Sequence, residues 1–279
     1  MIDIIIPVYN AHDTLLKTLM SIDLQTIKEK VNVYIIDDAS TNDYDDILKE
    51  FELNIFYHRL NENVGAGLAR QKGIDISNSK YIVFLDSDDL FYDADALKRL
   101  YENIKLGYDQ VAGITYNEKL NIYNVNEGDL HGKIYSREYI LKHNIRFNET
   151  RFHEDNYFNN LFLSCDPKYK QLDECIYIYS NNLKSLTNLD SKKEFERIKI
   201  LISNVRCFID ETKKRDSNKD VIAFLLLLKI RYFNRIYPNF TDDEKTTFKN
   251  WLEEYQLDFS KYIGQYDDNK IIEELKKDI

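Results

Sequence analysis

A chain of 279 residues, 43% hydrophobic and 13% aromatic, exceeds the usual single-domain size, so a core domain of about 190 residues with an appendage is expected. Its formal net charge of −10 disfavours a nucleic-acid binder, because affinity for a phosphate backbone comes largely from Lys and Arg. Cys165, Cys175 and Cys207 have no CxxC spacing, which suits a reducing compartment better than a disulfide framework.

In chain order, residues 1–6 form an apolar run broken only by Asp3 and leading into Pro7, Val8, Tyr9 and Asn10. Residues 13–21 have helical spacing, with Leu15, Leu16 and Leu19 on one stripe. A second apolar run, 33–36, leads into Asp37, Asp38, Ala39 and Ser40, and 44–51 again reads as helix through Ile47, Leu48 and Phe51. The third run, 81–85, ends in Asp86, Ser87, Asp88 and Asp89. Strand alternating with helix implies crossover connections and a mostly parallel α/β sheet. Ligands bind such sheets at the C-terminal strand ends. A lone DxD triplet is common on acidic surfaces; three polar turns at three strand ends point instead to one shared crevice.

Farther on, 93–106 reads as helix, 111–116 and 120–123 as a hairpin, and 128–134 as a lead into a helix over 136–142 that Ser136 caps. Residues 191–279 read as almost entirely helical: 192–212, 220–237 stopped by Pro238, and a helix opened by the capping-box pair Thr241 and Glu244. The longest apolar run, 221–228, falls well short of the about 20 residues that a membrane span needs. It reads as a core helix. With Tyr232, Phe233 and Tyr237 beyond it, a homo-oligomer interface or a peripheral membrane contact stays open. No basic leader or cleavage pattern is visible, so a cytoplasmic chain, or one at the inner face of the membrane, is expected.

Three acids within four positions are unfavourable together unless a cation neutralises them, and hard oxygen ligands favour Mg²⁺ or Mn²⁺. The segment therefore suggests a metal site for an oxygen-rich, phosphorylated ligand. The stretch 61–73 places glycines before a helix but meets neither the Rossmann nor the Walker pattern. Gly65 and Gly67 are expected to allow close helix-to-sheet packing.

PVYN at 7–10, IIDDAS at 35–40, NENVGAGLARQKG at 61–73, FLDSDD at 84–89 and HEDNYF at 153–158 together resemble the ordered signature of family 2 glycosyltransferases, inverting enzymes of GT-A fold that use nucleotide sugars. The resemblance covers roughly residues 1–190, which becomes the expected catalytic domain: a donor half to about 130 and an acceptor half over 131–190. Residues 191–279 become a helical appendage.

The resemblance implies a UDP-sugar donor and assigns roles. Asp38 would accept the uracil N3–H, Tyr9 would face the base, and Pro7 and Val8 would offer backbone groups. Arg70 would aim its fork at the uracil carbonyl or the diphosphate; the plain reading is a surface arginine paired with Asp75 or a strand-end acid. Asp86 and Ser87 would serve the nucleotide, and Asp88, with Asp89 as the alternative, would hold Mn²⁺ or Mg²⁺. Asp155 matches the second acid of the family's ED pair and would be the general base, with Glu154 positioning it. Both acids also suit the first turn of a helix. His153 and Lys133 are candidate acceptor contacts. The chain departs from the family at Ser180, where an arginine is common ahead of Ser185 and Thr187; Lys184 or Lys133 could substitute.

The expected activity is metal-dependent, inverting transfer from a UDP-sugar to a hydroxyl acceptor, a saccharide of a surface polysaccharide, teichoic acid or glycolipid. A sugar nucleotidyltransferase and a non-catalytic nucleotide-sugar-binding module are the alternatives, and a protein or modified-nucleobase acceptor stays open.

Overall fold

The computed structural model describes residues 1–125, 129–182, 191–215 and 217–279. Gly128, Lys184, Ser185 and Thr187, which figure in the expectations above, lie outside them. The chain divides into two compact units: the described residues among Met1–Asn156 and Pro167–Asn188, and those among Tyr157–Asp166 and Leu189–Ile279.

The first unit contains β1 (Ile2–Val8), α1 (His12–Asp23), β2 (Val31–Asp37), α2 (Asp45–Leu48), β3 (Asn54–Arg59), α3 (Ala66–Ile76), β4 (Tyr81–Phe84), β5 (Leu90–Phe91), α4 (Ala96–Ile104), β6 (Gln110–Asn117), β7 (Ile122–Val125), β8 (Lys133–Ser136), α5 (Arg137–Lys142), the start of α6 (Glu154–Ser164) and β9 (Tyr169–Tyr179). Nine strands among the described residues form one mixed sheet in the order β3-β2-β1-β4-β8-β6-β9-β5, with β7 paired to β6. β1, β2, β3 and β4 run parallel. Every residue of β1 and β2 is buried, as expected for strands covered on both faces.

Asp3, the break in the first apolar run, is wholly buried and fully engaged. It accepts the backbone N–H groups of Asn78 and Ser79, the Ser79 hydroxyl and the Asn32 amide. These bonds compensate its desolvation and lock the turn before β4. Gly73 lets α3 lie against β1: a Cβ there would sit 2.4 Å from Ile5 Cγ2.

β8 is antiparallel to β4, pairing Val83 with Ile134, so the N-terminal end of β8 lies beside the C-terminal end of β4. β5 is antiparallel to β9, pairing Leu90 with Ile178. These pairings bring two distant segments to the DSDD turn. Ser136 caps α5 by accepting from the Tyr139 N–H, as expected.

The second unit holds the rest of α6 with α7 (Ser191–Thr212), α8 (Lys219–Ile236), α9 (Asp242–Glu254) and α10 (Asp268–Asp278). The apolar run lies in α8 with Ile222, Ala223, Leu225, Leu226 and Leu227 buried. Thr241 and Glu244 form the reciprocal capping box. Among the described residues no helix is long and apolar enough to cross a membrane.

Candidate active site

The C-terminal ends of β1, β2 and β4 lie side by side, and the loops beyond them are stitched together. Asn10 adopts a left-handed conformation (φ 50°). Its N–H donates to Ser40 Oγ, and its Oδ1 accepts from the Thr41 N–H and hydroxyl. Pro7 and Val8 sit within β1, Val8 accepting the Asp38 N–H through its carbonyl, while the Tyr9 side chain projects with 52% exposure. Asp38 is buried; its two carboxylate oxygens accept the N–H groups of Val64 (2.7 Å) and Gly65 (2.8 Å). It thereby ties the end of β2 to the entry of α3. These bonds use two of about four lone-pair sites on the carboxylate.

The DSDD turn is held from three sides. Asp86 accepts from Arg70 at 2.5 Å and lies 3.4 Å from His131 Nε2. Burial opposes its ionisation, but the two cations outweigh this and hold the carboxyl well below the usual range. Asp88 accepts from the Asn182 amide at 2.8 Å, and burial, with Asp86 beside it, raises its pKa. Asp89 is buried, accepting from the Tyr177 hydroxyl (2.7 Å) and the Ser180 N–H (2.8 Å). Burial pushes its pKa up to about 8, His131 opposing and Asp86 and Asp88 adding to the shift. Ser180, the position that departs from the family pattern, serves this turn through its backbone. Ser87 is partly exposed between the acids.

His131 was not singled out from the sequence. Its ring stacks on Tyr177 with centroids 4.8 Å apart and an interplanar angle of 19°, and it also faces Tyr179 at 5.3 Å. Burial disfavours its charge, yet Asp129, Asp86 and Asp89 push its pKa up to about 10. A lone histidine in HGKIYSREYI offers no ligand spacing; only the β4–β8 pairing brings it to the acids.

Ligand atoms of Asp86, Asp89 and His131 lie within 4.8 Å of one another. Carboxylates joined by one imidazole suit a divalent ion, Mn²⁺ among them. Burial first, and the neighbouring acids after it, raise the pKa values of Asp88 and Asp89, and a cation would favour their charged forms. The residues therefore fit such an ion. The tight group includes His131 where the sequence had pointed to Asp88.

Arg70 is buried and spans two acid motifs, pairing with Asp86 through one terminal nitrogen and with Glu154 through the other (3.0 Å). The plain expectation of a strand-end acid as partner is met, but the arginine lies inside the protein rather than on its surface. Glu154 and Asp155 open α6, where Asp155 Oδ1 accepts its neighbour Asn156's N–H at 2.7 Å. Burial raises Glu154; Arg70 opposes this and Asp155 reinforces it, leaving its pKa at about 7. Asp155 is raised by burial and by Asp129.

Gly67 faces this corner, not the sheet as expected: a Cβ there would lie 2.7 Å from Glu154 Cγ. His153, with φ 60°, is half-buried just ahead of the pair. Lys133 is 1% exposed and donates to the Asp129 carbonyl at 2.5 Å, so it is a buried strut of the turn carrying His131.

Comparison with known proteins adds a family. The family described as Glycosyl transferase family 2 matches residues 3–163. The chain is 26% identical to the minor teichoic acid biosynthesis protein GgaA of Bacillus subtilis, over 98% of this chain and 68% of that protein. It is 28% identical to glycosyltransferase GlyA of Streptococcus pneumoniae, over 69% of this chain, and spans only 32% of GlyA's length. The crystal structure of S. aureus TarS 1-349 in complex with UDP superposes with a TM-score of 0.71 at 19% identity, covering 91% of this chain and 79% of that one. That likeness establishes the GT-A type of fold.

Proposed function

The chain belongs to glycosyl transferase family 2, and from that premise we propose that it moves a sugar from a UDP-sugar to a hydroxyl of a surface polymer of the teichoic acid or polysaccharide class, with inversion at the anomeric carbon. The observation that carries this reading is the junction at Arg70: one buried guanidinium binds both the strand-end acid Asp86 and the helix-start acid Glu154. A donor-binding turn and an acid pair adjoin, as a single displacement requires. The name of GgaA supports the choice of a teichoic acid acceptor.

In this mechanism Tyr9 stacks on the base, the backbone at Pro7 and Val8 lines its edge, and Asp38 accepts the uracil N3–H with a lone pair left free by Val64 and Gly65. Asp86 and Ser87 face the ribose and diphosphate. A Mn²⁺ or Mg²⁺ ion held by Asp88, Asp89 or Asp86, with His131 adjacent, would neutralise the diphosphate and stabilise charge on the leaving phosphate. Asp155 takes the proton from the acceptor hydroxyl as that oxygen attacks the anomeric carbon, while Glu154, held by Arg70, keeps the base oriented. Burial and the charge of Asp129 raise the Asp155 pKa, which strengthens it as a base. His153, beside the pair, is an acceptor contact.

We assign catalysis to residues 1–190, and to 191–279 the role of a helical appendage for self-association or contact with the inner face of the membrane.

The test is calorimetric titration with UDP, GDP, CDP and dTDP, each with Mn²⁺ and with EDTA, followed by a screen of UDP-sugars for hydrolysis and transfer. Manganese-dependent binding selective for UDP is expected. Selectivity for another nucleotide would replace the donor, and no binding by the folded protein would overturn the transferase reading.

A further inference from the structure

Asp38, Asp86, Asp88, Asp89, Glu154 and Asp155 each accept at least one hydrogen bond. Asp129, beside them, does not. Among the described residues its Oδ1 is buried without a partner, and its Oδ2 has only His131 Nδ1, 3.6 Å away and beyond hydrogen-bond length. The side chain is 28% exposed, so the carboxyl is not sealed inside the protein. It is nonetheless held firmly: Leu130 is buried, His131 stacks on Tyr177, and Lys133 donates to the Asp129 carbonyl. A fixed acceptor with no donor is unfavourable, and a ligand that brings the donor accounts for it.

Position limits what that ligand can be. On one side His131 turns its other ring nitrogen to Asp86, at 3.4 Å, in the strand-end turn proposed to face the leaving phosphate. On the other, Asp129 is the charge that acts most strongly on Asp155, and both acids act on the buried Tyr135. A single displacement sets the donated sugar between the leaving phosphate and the base. A group that borders both therefore lies beside the sugar ring.

We propose that Asp129 recognises the donated sugar, its carboxylate accepting the hydrogen of one ring hydroxyl. This deepens the function proposed above and rests on it. A carboxylate offers acceptors where a hydroxyl brings a donor, and the bond to a charged acceptor is short and strong. A site built to pair with a hydroxyl also rejects the sugar lacking it far more sharply than an apolar pocket could.

The experiment compares wild type, Asp129→Asn and Asp129→Ala by calorimetry in Mn²⁺. The probes are the nucleotide that wild type selects, expected to be UDP, its sugar derivative identified in the donor screen, and analogues of that derivative each lacking one hydroxyl. Tm without ligand and kcat are measured alongside. Asp129→Ala is expected to weaken the nucleotide-sugar by about 10–100-fold while the bare nucleotide binds as tightly as to wild type. Asp129→Asn, which keeps one acceptor oxygen, should fall between. One deoxy analogue should bind wild type as weakly as the full sugar binds Asp129→Ala, and lose nothing further in that variant. Tm should hold, because the substitution removes no hydrogen bond of the side chain.

An unchanged ratio of nucleotide to nucleotide-sugar affinity in Asp129→Ala would overturn the proposal. Lost turnover at that unchanged ratio would place Asp129 in the chemistry instead, equal weakening of the bare nucleotide would make it a support for His131, and a lowered Tm would make it a structural acid. If wild type binds no nucleotide, the function proposed above falls and this assignment with it. That result appears in wild type, whereas failure of the assignment alone appears only in the variants.

Discussion

Tyr177 donates its hydroxyl hydrogen to Asp89 at 2.7 Å and, on the same oxygen, accepts the Asp86 N–H at 3.3 Å. One phenol from the end of β9 thus pins both ends of the DSDD turn. Tyr177→Phe keeps the ring and its stacking on His131 but leaves the Asp89 carboxylate short of a donor in a buried site. The expected cost is about 1–3 kcal/mol, read as a lower urea midpoint at unchanged m-value. An unchanged midpoint would mean that Asp89 finds another donor there.

The two proposed roles for acids separate by measurement. Asp155→Asn removes the base without touching the DSDD turn, so transfer should fall by about 10²–10⁴-fold with manganese-dependent UDP affinity preserved. Asp88→Ala should do the reverse at the binding step, weakening UDP in Mn²⁺ far more than in EDTA. Near-normal turnover of Asp155→Asn would show that the base lies elsewhere.

Strands buried on both faces were legible because they read as unbroken apolar runs, and β1, β2 and β4 each deliver a polar turn to the same edge. β3 was not, since it lies at the sheet edge with half its side chains exposed and carries Asn54, His58 and Arg59. The eight-residue helix read over 44–51 shortens to Asp45–Leu48. Tyr44 instead places its hydroxyl against Ser40 and the Ala11 N–H, a tertiary use that local spacing cannot express. Asp86, Asp88 and Asp155 carried signals in their own motifs. His131 and the inward direction of Arg70 did not, because each is defined by a partner far along the chain: Arg70 and Glu154 are 84 positions apart.

Two glycines on α3 should respond differently to the same substitution. Gly73→Ala drives a methyl to within 2.4 Å of Ile5 Cγ2 in the sheet, remote from the acid pair, whereas Gly67→Ala drives one against Glu154 at 2.7 Å from Cγ. Overpacking costs about 1–3 kcal/mol in either place. Gly73→Ala should therefore lower the denaturation midpoint while sparing kcat of the folded fraction. Gly67→Ala should lower kcat as well, through displacement of Glu154. Equal kcat losses in the two variants would detach Glu154 from catalysis.

The acid pair also predicts opposite pH trends in stability and rate. Glu154 titrates at about 7 in the folded chain against an ordinary 4.5, so between those values the folded state holds more proton than the unfolded state. Stability must then fall as pH rises from about 4.5 to 7, by an amount on the order of 1–3 kcal/mol. Glu154→Gln should flatten that slope in urea denaturation followed from pH 4.5 to 8. Transfer runs the other way, because Asp155, raised in the same direction, must be ionised to accept a proton. The two carboxyls repel each other and titrate as a pair, so kcat/KM should climb with pH through apparent values belonging to both. Glu154→Gln removes the like charge and should shift the rising limb to lower pH. A limb that does not move would mean that Glu154 has no electrostatic hold on the base.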